Sequence, residues 1–442
     1  MAGMKELSGL VSELEEQLVI CTRCGMCQAV CPLYNQTGKE ADVARGKLAL
    51  LDGLMENMFT DAKGVESRLN RCLLCGSCAA NCPSGVSALE IFAKARAILA
   101  EYRGLSFAEK FIFRRLLANP SVFDQLCQWF ERFQAIFTRT EKNFQDTSCA
   151  RLVSPLTGGR HLKRLAPIPF HKMASPGMES AGKNTGPSVL FFTGCVIDKV
   201  FPHIALDAIN VMAYHNFRVT VPRGQSCCGI PASASGDRKT FTTLVNHNLD
   251  IFLHHDFDYI VTACATCTST IKKLWPKLYH QPNPSTKKRL ADVSEKILDI
   301  SQLLDSVVEE QGGAASKSET SDCVTYHDPC HLFKSLGVAA EPRHLIKASG
   351  KHLIEMQDSD QCCGMGGSFN LKHYDLSSDI GTCKAENIIA TGCETIATSC
   401  PACMIQISDM LAKQNKSVYV KHPVELYAES LKKNGAISGY RI

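Results

Sequence analysis

The residues of this chain that could do chemistry are its thiols, and their spacing is regular. One run reads Cys21-Thr-Arg-Cys24-Gly-Met-Cys27-Gln-Ala-Val-Cys31-Pro32, and a second reads Cys72-Leu-Leu-Cys75-Gly-Ser-Cys78-Ala-Ala-Asn-Cys82-Pro83. Both are C-x2-C-x2-C-x3-C-P. The three closely spaced thiolates wrap one corner of an iron–sulfur cubane as the backbone turns around it, while the fourth, before the proline, is carried away to the other cluster. Cys21, Cys24, Cys27 and Cys82 are therefore expected to hold one [4Fe-4S] cluster, and Cys72, Cys75, Cys78 and Cys31 a second. Gly25 and Gly76 sit where the loop passes close to sulfide and a Cβ would be in the way. Zinc sites pair two C-x2-C units without the third step or the C-P ending. Disulfide frameworks belong to short chains in oxidising compartments.

A different cysteine pattern repeats further on. Its first copy has Cys195, then Cys227-Cys228-Gly229, then Cys264-x2-Cys267; its second has Cys330, then Cys362-Cys363-Gly364, then Cys400-x2-Cys403. The gaps are 31 then 35 residues in one copy and 31 then 36 in the other. Each copy supplies five thiolates from three loops. Adjacent cysteines chelate a single iron poorly, so the Cys-Cys pair suggests a centre with more than one metal atom, and at least one further [4Fe-4S] cluster is expected. A redox disulfide, or cysteines that merely line a core, is the competing use. Cys127, Cys149, Cys323, Cys383 and Cys393 are left over and read as buried free thiols. His327 and His331 flank Cys330 and could hydrogen-bond to sulfur and raise its potential, or be ordinary structural histidines.

The elements that must position these groups divide the chain into four stretches. Residues 1–103 read as a helical two-cluster domain of ferredoxin type, with helices over Leu7–Ile20, Ala41–Met58, Val65–Asn70 and Ser87–Arg103, the last opened by a Ser87/Glu90 capping box. Residues 104–187 begin with two amphipathic helices broken at Asn119-Pro120, rich in Phe and in Lys110, Arg114, Arg115 and Arg132. Such a stretch can lie on a membrane surface, but a core-facing apolar stripe is the commoner use of the pattern and is the expectation. A Pro/Gly-rich linker over 154–187 follows, of which Leu165–Phe170 could be pinned to a surface. Residues 188–312 and 322–442 each alternate strands and helices. The strands are Val189–Thr193, Arg218–Val221 and Tyr259–Thr262, then Cys323–His327, His352–Met356 and Thr395–Thr398; the helices lie near Ile204–Tyr214, Thr240–His254, Leu376–Ala390 and Pro401–Leu411. This alternation means parallel, Rossmann-like α/β modules, related as a pseudo-twofold pair, and makes the whole an α+β multidomain chain. The cysteines fall just past apparent strand ends, where open α/β sheets put ligands, so the two halves can bring their sites to a shared interface. Gln281–Lys288 and Gln311–Asp322 read as polar loops.

Composition excludes some functions. A net charge of +4 on 442 residues makes no case for nucleic acid, and 7% aromatics are too sparse for a stacking platform. The first twenty residues lack the apolar region of a signal peptide, and no run of 18 apolar residues occurs, so no span of a membrane is expected. A reducing cytoplasm suits thiolates reserved for metal; the inner face of a membrane is compatible with it. There is no G-x-G-x-x-G between a strand and a helix, no Walker loop, and no Ser-His-Asp set or carboxylate pair. Gly364-Met-Gly-Gly367 is better read as backbone close to a cluster than as a phosphate loop. Neither FAD nor a substrate-oxidising site is expected on this chain.

The repeated pattern resembles the cysteine-rich CCG domain of the heterodisulfide reductase B and D subunits. The resemblance implies a non-cubane [4Fe-4S] cluster for an intact five-cysteine copy, and both copies are intact. Residues 15–100 and 187–430 together are similar to the iron–sulfur subunit of glycolate oxidase and of FAD-linked D-lactate dehydrogenase, notably Tyr326-His-Asp-Pro-Cys330-His-Leu, Cys362-Cys-Gly-Met-Gly-Gly367 and Ala397-Thr-Ser-Cys-Pro-Ala-Cys403. That likeness implies an electron-transfer subunit of an oxidoreductase. A partner flavoprotein would oxidise a 2-hydroxy acid (D-lactate or glycolate), and electrons would leave to a quinone, an electron-transferring flavoprotein or another carrier. The iron–sulfur subunit of anaerobic glycerol-3-phosphate dehydrogenase is similarly built. A heterodisulfide reductase-like catalytic subunit is the alternative from a different class.

Overall fold

The computed structural model describes residues 7, 9, 11–140, 147–150, 159–173, 185–310 and 323–438. Helices carry the first hundred residues. The main ones are Ala44–Met55, Ala62–Asn70 and Ala88–Arg103, and their apolar faces meet in a core that includes Leu14, Leu51, Leu69, Ile91 and Leu99. The first begins later than the sequence suggests, because Glu40–Asp42 forms a separate 3-10 turn. Ser87 makes no side-chain cap; Glu90 is drawn away by Lys94 and Lys277 at 2.8 and 3.0 Å. The capping box forms instead at Ser106 and Glu109, the start of the amphipathic segment. That segment runs through a π-helical turn, Phe111–Leu117, breaks before Pro120, and continues as Pro120–Phe137.

The stretch between the amphipathic helices and the first module holds strands that the sequence pattern does not predict, two of them before the Pro/Gly-rich linker of 154–187 begins. Strands β1 (Thr138–Thr140), β2 (Thr147–Ala150) and β3 (His161–Lys163) form an antiparallel meander. The arm is then pinned at both ends. The His161 backbone N–H donates to Asp409 at 2.8 Å, Arg160 lies 4.1 Å from the Tyr374 ring centroid, and Phe170 is buried.

Two parallel sheets of four strands follow, as the strand–helix alternation requires. The first contains β4 (Ser188–Phe191), β5 (Arg218–Thr220), β6 (Tyr259–Thr262) and β7 (Ile297–Asp299), in the order β5-β4-β6-β7. The second contains β8 (Cys323–Tyr326), β9 (His352–Leu353), β10 (Thr395–Ala397) and β11 (Tyr419–Lys421), in the equivalent order β9-β8-β10-β11. Six of these strands coincide with predicted ones. The outer strands β7 and β11 are short edges that carry little pattern of their own. Residues 281–288 are not a loop throughout: the Asn283 side chain accepts from the Thr286 N–H, and a helix runs Pro284–Lys296. Residues 311–322 lie outside the described ones.

The halves share a core. Helix Pro423–Lys433 of the second half lies against Pro202–Tyr214 of the first, and Val424, Tyr427 and Leu431 belong to the same buried cluster as Ile204, Ala208 and Val211. The first hundred residues dock onto the first half through Arg96, which is 3% exposed and donates to Leu69, Cys72 and Ala234 carbonyls.

Among the leftover cysteines, Cys323 and Cys393 are not free thiols but a disulfide. The β8–β10 register, with Val324 opposite Thr395, brings them together. Cys127 and Cys383 are only half-buried, and the Cys149 side chain lies outside the description.

Candidate metal centres

Cys21, Cys24, Cys27 and Cys82 line one cavity of the helical domain, together with Cys78. Cys31, Cys72, Cys75 and Cys78 line a second. In each run the glycine after the second cysteine has positive φ and starts a single helical turn that aims the third thiol back at the first two. Cys31 is extended and caps a short helix that begins at Pro32, whereas Pro83 opens a turn. The Cys31 side chain accepts from the Tyr34 N–H at 3.5 Å. Cys24 is exposed, whereas its partners are half-buried.

All ten cysteines of the repeat line a third cavity, of about 250 Å³, between the two sheets. They lie on loops and helix starts just past β4, β5 and β6 in one half and β8, β9 and β10 in the other, at the carboxyl ends of the strands. Cys228 and Cys363 are each followed by a glycine with positive φ (93° and 91°), where an added Cβ would come within 2.9 Å of Phe241 and 2.5 Å of the Ser377 carbonyl. That is why glycine follows each Cys-Cys pair: the turn that exposes both sulfurs runs the backbone left-handed against a helix. In the first half, the Asn248 side chain accepts from the Ser226 N–H and donates to the Cys227 carbonyl, and the Trp275 indole donates to the Cys228 carbonyl at 2.8 Å. In the second, Arg343 forks onto Asp328 at 2.7 and 2.8 Å and onto Glu355, bracing the loop before Cys330.

The sulfurs form a continuous succession. Cys195 and Cys227 are 3.8 Å apart. Cys228 interacts with Cys227 and Cys267, Cys267 with Cys264, and Cys264 crosses to Cys400 of the other half. Cys400 meets Cys403, Cys403 meets Cys363, and Cys362 meets both Cys330 and Cys75 of the helical domain. The last of these contacts joins the second cavity to the third. Lys334 reaches across the same boundary and donates to Ser77 at 2.7 Å.

The donor set fits iron–sulfur clusters. Burial pushes the Cys31 thiol up to about 11. Burial and the neighbouring Cys72, Cys75 and Cys31 sulfurs raise Cys78 further. Thiolates so placed repel one another until a metal neutralises them. A cluster bound there would supply one-electron transfer. His327 is aimed at the third cavity, as its place near Cys330 allows: its Nδ1 lies 3.1 Å from the Ser359 carbonyl, and its buried ring lies within 4.8 Å of the Cys363 and Cys403 sulfurs. His331 acts at one remove. Its Nδ1 is 3.0 Å from Thr266 Oγ1, which is 3.3 Å from Cys400 Sγ. Thr266, Lys334 and Arg343 carry no motif and are found only in the fold.

Residues 17–86 match the 4Fe-4S dicluster domain, and residues 189–272 and 324–408 each match the cysteine-rich domain named CCG. A probable glycolate oxidase iron–sulfur subunit of Bacillus subtilis is 27% identical over 97% of this chain and 99% of its own length. One subunit of the fumarate reductase (CoM/CoB) of Methanothermobacter marburgensis is 32% identical over 60% of this chain, which spans 52% of that protein. Lactate utilization protein A of an Exiguobacterium species is 28% identical over 56% of this chain and 99% of its own length. The chain is thus a homologue of glycolate oxidase iron–sulfur subunits and of lactate utilization protein A, with one 4Fe-4S dicluster domain followed by two CCG domains.

Proposed function

We propose that this chain is the electron-transfer subunit of an oxidoreductase complex in which a partner's FAD oxidises D-lactate or glycolate. The observation that carries the reading is the succession of thiols from Cys195 to Cys75, continued toward exposed Cys24 by Cys78, which lines both cavities of the helical domain. Cys21, Cys24, Cys27 and Cys82 hold the cluster that faces the flavoprotein, and Cys31, Cys72, Cys75 and Cys78 hold the next. The Rossmann-like modules hold at least one further [4Fe-4S] centre, within Cys330, Cys362, Cys363, Cys400 and Cys403 or within Cys195, Cys227, Cys228, Cys264 and Cys267. Clusters with neighbouring ligands in this way let single electrons cross the molecule, which splits the two-electron chemistry of a flavin into steps a distant acceptor can take.

A heterodisulfide-type catalytic role is favoured by one observation, the 32% identity to the fumarate reductase chain. The full-length likeness to the glycolate oxidase subunit weighs more, because it covers both the dicluster region and the two modules. Anaerobic affinity purification with flavin, iron and sulfide counts tests the proposal. The expected result is a co-purifying flavoprotein and at least about twelve irons per chain, four for each of three [4Fe-4S] clusters. A chain that carries no more than about eight irons, or that reduces a disulfide with no flavoprotein present, overturns it.

A further inference from the structure

Beyond Cys195, where the succession of sulfurs ends, lies a separate cavity of about 330 Å³. Cys195 and Cys227 form part of its wall. Leu117, Phe123, Phe170 and Val221 give it an apolar wall, Arg223 and Gln225 stand at another side, and a cluster of charged groups closes it. There His171 is held between two carboxylates, Nε2 3.2 Å from Asp124 and Nδ1 3.0 Å from Asp198. Lys199, 7% exposed, pairs with both carboxylates. With that ammonium already between the carboxylates, the quartet is an ion-pair network rather than a vacant cation site. No sequence motif announces it, since its members are spread from 124 to 199 and only folding gathers them.

The helical hairpin that supplies Leu117, Phe123 and Asp124 to this cavity has an unusual outer surface. The sequence pattern favours packing for its apolar residues, and the structure corrects that expectation. Phe113 is buried, but Phe107 is 86% exposed, Trp129 53%, Phe111 50% and Phe130 48%. Lys110, Arg115 and Arg132 are exposed beside them, while Arg114 reaches back to the buried carboxylate of Asp237 at 3.2 Å. Aromatic rings interleaved with basic side chains fit the headgroup region of an anionic bilayer, where rings sink to the acyl boundary and the cations meet lipid phosphates. An acidic protein surface would satisfy the cations but not four exposed aromatic rings.

We propose that this cavity binds the ring of a membrane quinone, with the hairpin resting on an anionic lipid surface and His171 as the proton donor. The site would be the electron exit of the function proposed above and rests on that reading. The chemistry balances as quinone plus two electrons plus two protons giving quinol. Both carbonyls become hydroxyls. The electrons arrive singly through the chain's reduced iron–sulfur centres from the partner flavin. One proton comes from His171, held against Asp124 and Asp198, and the other from water, which also restores the histidine. The apolar wall accepts the ring and the start of its isoprenoid tail.

The test uses the full chain with its clusters, in phosphatidylglycerol vesicles containing an azido-benzoquinone photoprobe. Label is expected within residues 117–124, 170–171 or 221–227, and an excess of decylubiquinone or of a menaquinone analogue should suppress it. Leu117→Trp, which fills the cavity, should cut labelling at least tenfold while iron content stays the same. Lys110→Glu with Arg115→Glu and Arg132→Glu, which leaves the Arg114–Asp237 pair in place, should abolish flotation with the vesicles. His171→Gln should lower the ratio of quinone to ferricyanide reduction at least tenfold, because ferricyanide takes electrons without protons. Label elsewhere, full labelling of Leu117→Trp, charge-independent flotation, or protection of the hairpin by the flavoprotein without lipid would each overturn the proposal. Labelling and flotation need neither partner nor substrate, so they can fail while the electron-transfer reading stands, and the reverse.

Discussion

Cys31 shows how much a single thiol reports. It sits ten residues along from Cys21 in sequence, yet it lines the cavity of Cys72, Cys75 and Cys78, because Pro32 turns the chain away from the first run. A serine there offers a harder, shorter ligand to the same iron. Cys31→Ser should therefore alter the EPR signal of the cluster on the second run and leave that of the first, whereas Cys24→Ser should do the opposite. The crossed ligand sets are wrong if both variants perturb one signal. The same scale explains why the glycine after each Cys-Cys pair cannot be replaced freely, since its φ and its neighbours leave no room for a side chain.

At the scale of elements, the joint between the Pro202–Tyr214 and Pro423–Lys433 helices is pH-sensitive. His215 ends the first helix, is 7% exposed, stacks on Tyr427 and lies 3.1 Å from its hydroxyl. Burial lowers its pKa from 6.5 to about 4. Unfolded chain binds the proton first as pH falls, so stability is full above about 6.5 and is lost progressively towards 4, by about 3 kcal/mol at most. The denaturation midpoint should fall between pH 7.5 and pH 5, and His215→Gln should flatten that fall. An unchanged slope in the variant would assign the effect to other groups. The disulfide between Cys323 and Cys393 also belongs to this scale: two residues seventy apart meet because β8 and β10 are neighbours.

Across the whole molecule, the domains act as one body only where their backbones approach closely. At Gly236 an added Cβ would come within 2.4 Å of the Arg96 carbonyl, so the Ala88–Arg103 helix lies directly on the first module. Gly236→Val should wedge them apart at a cost on the order of 2 kcal/mol. Calorimetry should then resolve the dicluster domain melting before the modules, with iron content unchanged at low temperature. A single unshifted transition would mean that the contact does not couple them. Coupling matters to the proposed route, because Cys75 must stay against Cys362 for electrons to pass from the helical domain to the second module.

The sequence by itself determined the two dicluster runs, the two intact CCG copies, the alternation that makes parallel sheets and the absence of a span: among the described residues no helix is long and apolar enough to cross a membrane. These are legible because metal ligation and strand–helix alternation are set by covalent spacing along a few dozen residues. It did not determine the edge strands β11 and β7, the latter set without a break between helices Pro284–Lys296 and Ile300–Glu310, or the helix hidden in the polar stretch after Asn283. Only the tertiary structure decided that Cys264 faces Cys400, that Cys75 faces Cys362, that Phe107, Phe111, Trp129 and Phe130 of the hairpin stay exposed while Phe113 is buried, and that Asp124, His171, Asp198 and Lys199 meet beside Cys195. Each of these depends on which surfaces bury one another, and that follows from the packing of whole elements rather than from any local pattern.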